Sequence, residues 1–144
     1  MSQRPKFRAS LLHCARLVND EINNLLLPYR LNSSLWKVLY VINLKDGCTS
    51  IEIADYLNVS KPSIAKRIHA LMQLEILELI PTEDKRQKKL VLSEIGRNLF
   101  EECSLVISKY EDSLIQAIEP EDKEVAHQVL EQLIEAINTA KSGV

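Results

Sequence analysis

Seven cations in two tight clusters are the side chains of this sequence whose type and spacing point to chemistry. Lys61, Lys66 and Arg67 form one cluster, and Lys85, Arg86, Lys88 and Lys89 form the other. Cations at this density neutralise phosphates, and an arginine fork can also read a guanine edge. The chemistry implied is recognition of a polyanion. Bond-making chemistry has no comparable support. No Gly-rich phosphate loop, Ser/His/Asp signature or paired-carboxylate motif occurs, so the chain is not expected to be an enzyme or to carry a cofactor. His13, His69 and His127 and the three cysteines, Cys14, Cys48 and Cys103, show no CxxC, HxxxH or HExxH spacing. A metal site is therefore not expected.

The overall charge hides where the cations lie. Of 18 Lys+Arg and 20 Asp+Glu, residues 1–60 hold 7 basic and 5 acidic, and residues 61–97 hold 8 and 5. Residues 98–144 hold 3 and 10, a strongly acidic end that would repel DNA and orient its approach. Binding responds to the local patch more than to the total.

Those clusters need elements to position them. At 144 residues with 46% hydrophobic and 26% charged side chains, the chain suits one globular domain. Only 3 Gly and 5 Pro favour long helices. An odd number of widely spaced cysteines reads as reduced thiols. No apolar run approaches the roughly 18 residues of a membrane span. Met1 to Arg8 carries Arg4, Lys6 and Arg8 but no apolar stretch, unlike a signal peptide. A cytoplasmic protein with no membrane partner is expected.

Apolar spacing predicts a helix from about Phe7 to Leu27, ended by Pro28. A second helix begins at Ser33 or Ser34 as cap and stops at Lys45-Asp46-Gly47. Thr49 and Glu52 have capping-box spacing and open a short helix over Ser50–Leu57. Asn58 suits a tight turn, and Ser60 caps the next helix, 60–75, with Pro62 in its first turn. Ile76 to Pro81 and Lys89 to Leu92 flank a charged turn and read as a hairpin. A long helix from Glu94 to about Ile118 and a last helix from Pro120 follow.

Two short helices joined by a tight turn make a helix-turn-helix, and a basic hairpin directly after it makes a winged helix. On helix 60–75, Ile64, Ile68 and Leu71 face inward. Lys61, Pro62, Ser63, Lys66 and Arg67, with His69 beside them, are left for a major groove. The wing, 82–89, brings Lys85, Arg86, Lys88 and Lys89 to the backbone and the minor groove. Asp84 is expected to fix the tip by accepting hydrogen bonds from Arg86 or turn amides. The fold class expected is mostly α with a small β-hairpin wing, flanked by N- and C-terminal dimerisation helices. The divisions are 1–30, 31–97 and 98–144 within a single compact chain.

Leu57-Asn58-Val59-Ser60-Lys61-Pro62-Ser63-Ile64, then Asp84-Lys85-Arg86 and Leu92-Ser93-Glu94-Ile95-Gly96, resembles the MarR family of bacterial transcription regulators. Trp36-x-Val38-Leu39 matches its second-helix motif, and Lys-Pro-Ser-Ile is most similar to the SlyA branch. The resemblance implies a homodimer on a pseudo-palindromic double-stranded operator, with repression relieved by small aromatic acids or oxidants in many members. A pocket for such an acid could use His13, Arg16, Trp36 and Tyr40, a cation set with flat walls. Core packing accounts equally for Trp36 and Tyr40. All three cysteines are expected as buried small hydrophobes, with Cys14, beside His13 and Arg16, the alternative as an oxidant sensor. A winged-helix module that binds protein is the competing class.

The sequence departs from the family at three positions. Glu75-Ile76 stands where a helix-ending Gly is usual, so this helix is expected to end in another way, left-handed Glu being costly. Glu78 replaces a frequent Arg. Lys66 replaces another, and a point charge cannot fork onto guanine.

Overall fold

The computed structural model describes residues 3–84 and 86–143, so the expectation for Lys85 lies outside the described residues. In chain order the elements are α1 (Phe7–Leu26), a 3-10 turn (Leu27–Tyr29), α2 (Ser33–Leu44), α3 (Ser50–Leu57) and α4 (Lys61–Gln73). They are followed by β1 (Leu77–Pro81), β2 (Lys88–Leu92), α5 (Glu94–Ile115) and α6 (Pro120–Gly143). This is a mostly helical winged helix-turn-helix with terminal helices. The two strands pair antiparallel, Leu77 opposite Leu92 and Pro81 opposite Lys88.

Local chemistry explains most boundaries. Pro28 lies in the 3-10 turn that closes α1. Thr49 Oγ1 accepts from the Glu52 N–H while the Glu52 carboxylate accepts from the Thr49 N–H, the reciprocal box that opens α3. Asp46 (φ 52°) and Asn58 (φ 54°) take the left-handed conformation at the ends of α2 and α3. Two expectations fail. The α2 cap is Asn32, whose Oδ1 accepts from the Leu35 N–H at 2.8 Å, and not Ser33 or Ser34. Ser33 is instead buried against α1, its N–H donating to Asn23 Oδ1 at 2.6 Å and its hydroxyl to Asn19 Oδ1. And α5 stops at Ile115, where the Ile118 N–H closes a turn onto the Ile115 carbonyl at 3.0 Å. Its 22 residues span about 33 Å at ~1.5 Å per residue, shorter than the sequence suggests.

Contacts divide the chain into two compact units, residues 1–107 and 108–144. The buried core lies in the first. Leu26, Leu39, Ile42, Ile53, Ile64, Leu71, Ile76 and Leu90 are its largest fully buried side chains. Trp36 stacks on Phe100 against this core, ring centroids 4.8 Å apart and 10° from parallel. In the second unit no described residue of α6 is buried, and Val125, Val129, Leu130, Ile134 and Ile137 are exposed.

Candidate nucleic-acid interface

The interface is built on α4. Ser60 Oγ accepts from the Ser63 N–H at 3.3 Å and starts the helix, with Pro62 in the first turn where no donor is needed. Ile64 and Leu71 are buried and fix the helix's rotation. Lys61, Pro62, Ala65, Lys66, His69 and Gln73 are then exposed along the opposite face. Ser63 is half-buried at the margin, its Oγ accepting from Ser60 Oγ at 3.0 Å, which leaves its own O–H to donate outward. Arg67 departs from this set. It is half-buried, and its Nη1 donates to the Ser34 carbonyl at 3.3 Å, bracing α4 against the start of α2.

The C-terminal end of α4 overturns an expectation. Glu75 does adopt the left-handed conformation, φ 62°. Its N–H donates to the Met72 carbonyl at 3.0 Å and the Ile76 N–H to the Leu71 carbonyl at 3.1 Å, the pair of bonds that a glycine would ordinarily allow. The cost is of order 1–2 kcal/mol. Bonds from beyond the wing offset it: Ser93 Oγ lies 2.7 Å from the Glu75 carbonyl and 3.0 Å from that of Ile76, donating to this pair. The Ser93 N–H donates to the Ile76 carbonyl at 2.8 Å, and Ser93 Oγ in turn accepts from the Gly96 N–H at 2.9 Å. Gly96 is required here because a Cβ would press into the Ile76 carbonyl oxygen. The Leu-Ser-x-x-Gly motif is thus a clamp that joins the end of α4, the base of the wing and the start of α5. Sequence reading singled out the motif but not this role, because its partners lie 17 and 18 residues away.

The wing is fixed at both ends. Near its base, Cys48 and Leu90 exchange N–H···O bonds of 3.1 and 2.7 Å, so the loop before α3 runs as an extra rung beside β2. At its tip Asp84 Oδ1 accepts from the Arg86 N–H at 3.0 Å, and the Asp84 carbonyl accepts from the Gln87 N–H at 3.0 Å. Thr82 Oγ1 lies 2.7 and 2.9 Å from the carbonyls of Asp84 and Gln87, donating across the turn. Arg86 and Lys88 are exposed, with no acidic side chain among the described residues paired to them, while Lys89 is half-buried with its stem over Gly47.

Between α3, α4 and the wing lies an open cavity of about 570 Å³, floored by Ile51, Ala65, Ile68, Met72 and Leu79 and edged by Thr49, His69, Arg86 and Lys88. Hydrogen bonds from the Thr49 N–H and then its hydroxyl hold the neighbouring Glu52 carboxyl below the usual range, so it stays ionised. A smaller cavity of about 330 Å³ lies by Asp46, Val91 and Arg97. None of His13, Arg16, Trp36 and Tyr40 lines either cavity. Trp36 is engaged with Phe100, and Tyr40 is exposed on α2. Cys14 is exposed on α1, whereas Cys48 and Cys103 are buried. Burial, reinforced by Glu52 and Glu102 respectively, pushes both of these thiols up to about 11. Among the described residues no group of three or more His, Cys, Asp or Glu side chains could hold a metal, and no helix is long and apolar enough to cross a membrane.

No family model matches the chain. It is 36% identical over 110 residues to the HTH-type transcriptional regulator YwoH of Bacillus subtilis strain 168, covering 76% of this chain and 80% of that protein. A MarR transcriptional regulator from Methanosarcina mazei superposes with a TM-score of 0.85 at 18% identity, over 97% of this chain and 94% of that one. The chain belongs to the MarR family of transcriptional regulators. A variant of E. coli MarR complexed with operator DNA also shares the fold, with a TM-score of 0.77 and 20% identity over 87% of this chain and 91% of that one. MarR proteins are DNA-binding regulators and not enzymes. In this member the Ser93 clamp joins the helix-turn-helix to the wing.

Proposed function

We propose that this MarR-family chain acts as a cytoplasmic homodimer, setting α4 into the major groove of a pseudo-palindromic operator and the wing, 82–89, into the adjacent minor groove. One observation carries the reading. The Ser93 clamp locks α4 to the wing, so the exposed face Lys61–Lys66 and the tip cations Arg86 and Lys88 act as one rigid reading head. Lys61, Lys66 and Ser63, with Pro62 bringing the first turn close, contact bases and phosphates. Lys85, Arg86, Lys88 and Lys89 follow the backbone, with Arg86 drawn into the electronegative minor groove. Arg67 keeps α4 at its angle to α2. Asp84 holds the tip in shape before DNA arrives. Lys61-Pro62-Ser63-Ile64 is the ground for placing the chain near the SlyA branch.

Residues 1–30 and 98–144 serve as dimerisation helices, and 31–97 as the reading head. Each leaves apolar side chains uncovered, Phe7, Leu11, Leu12 and Leu17 in α1 and Val125 to Ile137 in α6, as an interface between copies requires. The chain acts as a repressor, and a small aromatic acid releases it from DNA. The cavity beside Arg86 and Lys88 offers the cations and apolar walls such an acid needs, more directly than the His13, Arg16, Trp36 and Tyr40 set.

Selection of bound sites from random duplexes tests the whole reading. The expected result is a two-fold related sequence, with affinity falling steeply in salt at a slope of about −0.9 per neutralised phosphate. Ser63→Ala and Lys66→Ala should change base preference, whereas Arg86→Ala should weaken all sites alike. A chain that enriches no duplex but captures protein would assign the winged helix to protein binding instead.

A further inference from the structure

The smaller cavity, about 330 Å³, has no part in the reading head. It lies at the root of the wing, bounded by the end of α2, by β2 and by the first turn of α5. Asp46 and Arg97 border it together, and both are exposed. Among the described residues neither is ion-paired, to the other or to any further side chain. Opposite charges that share a cavity without meeting leave room for a ligand that carries both signs.

The backbone supplies a second, independent observation. Leu90 gives both its N–H and its carbonyl to Cys48, on the side of β2 away from β1. Backbone polar groups alternate sides along a strand, so Leu92 turns its own N–H and carbonyl to that same side. The rung that would meet them is missing. Asp46 (φ 52°) and Gly47 (φ 96°) carry the chain away from β2 just before Cys48. Among the described residues neither polar group of Leu92 has a backbone partner on that side, although Leu92 is buried and borders the cavity. An open donor and acceptor in such a place call for a complementary pair.

One small molecule matches both sets of groups. An α-ammonium donates to the Asp46 carboxylate and the Leu92 carbonyl, and an α-carboxylate accepts from Arg97 and the Leu92 N–H. The C-terminal end of α2, which stops at Leu44, adds negative potential on the ammonium side. Ile42 and Val91 give an apolar wall for an aliphatic side chain. A simple anion would meet Asp46 there, and a simple cation would meet Arg97. The volume is at the small end of ligand cavities, roughly 300–1,000 Å³, and suits a single small molecule.

We propose that this cavity binds a free α-amino acid with a small aliphatic side chain, held between Asp46 and Arg97 on the open rung of Leu92. The site is distinct from the cavity beside Arg86 and Lys88, and it does not depend on the groove assignment.

Isothermal titration of the full chain with L-alanine, L-valine and L-leucine tests it, with isobutylamine and isobutyrate as probes that keep one charge each. At least one of the amino acids should bind saturably, and neither single-charge probe should displace it. Asp46→Asn and Arg97→Gln should each weaken that binding about tenfold or more, since each removes a charged hydrogen bond. Both positions are exposed, and Asn accepts the left-handed backbone of Asp46, so unchanged thermal melting is expected of both variants. Absence of binding by all three amino acids overturns the proposal. So does binding that survives both substitutions, or that a single-charge probe displaces.

Discussion

The winged helix and the terminal helix α6 both carry large apolar side chains but put them to opposite use. In the winged helix Ile64, Leu71, Ile76 and Leu90 vanish into a shared core, and the surface left over is polar and cationic on α4 and at the wing tip. In α6 no described residue is buried, although Val125, Val129, Leu130, Ile134 and Ile137 recur at helical spacing. One region is finished by its own chain; the proposed homodimer would finish the other with a second copy. Burying a large aliphatic side chain is worth about 1.5–3 kcal/mol, so five such residues carry more than enough to drive association.

The sharpest way to break that contrast is to put charge on the unfinished side. Ile134→Asp should abolish the dimer at micromolar concentration, read by sedimentation as a 16.4 kDa species, and cost operator affinity at least a hundredfold. The same variant should leave the winged helix folded, as judged by an intact Trp36 fluorescence signal. On the finished side, Gly96→Ala should destabilise by about 3 kcal/mol in urea unfolding, because the backbone carbonyl of Ile76 has nowhere to go. Arg86→Ala should leave stability unchanged within about 0.5 kcal/mol and weaken every operator sequence about tenfold. Glu75→Gly relieves a left-handed residue and should stabilise by about 1 kcal/mol with no change in DNA affinity.

The smallest effect is a pH dependence. The Glu52 carboxyl titrates lower in the folded chain than in the unfolded one because Thr49 hydrogen-bonds its charged form. The unfolded state therefore binds that proton first as pH falls. The contribution is complete above the ordinary carboxylate range and is lost as pH falls through the lowered folded value. Glu52→Gln should flatten that part of the acid unfolding curve without altering melting at pH 7 by more than a cap is worth, about 1 kcal/mol.

How much of this was legible in the sequence follows the distance over which each feature is decided. Thr49 with Glu52, Ser60 with Pro62, and Asn58 are settled within four residues, and their motifs announce them. Asn32-Ser33-Ser34 is different: all three residues can cap a helix, and Asn19 and Asn23 on α1 decide among them by engaging Ser33. Glu75 is the extreme case. Local propensity argues against a left-handed glutamate, and only the hydroxyl of Ser93 makes it tolerable. Arg67 looked like one more groove cation until α2 supplied a carbonyl for it. The wing tip and α4's outer face were legible because repeated charge on a short element has few places to go. The cavity between them was not, since its walls come from three elements with no common motif.

The bond from Ser93 to the turn after α4 has a mechanical corollary. With the hairpin's root stapled to the preceding helix, neither can be swung aside alone. In the proposed repressor, release would pivot the whole head as a unit, and the proposed effector would work as a wedge on its seating, not as a crowbar on the hairpin.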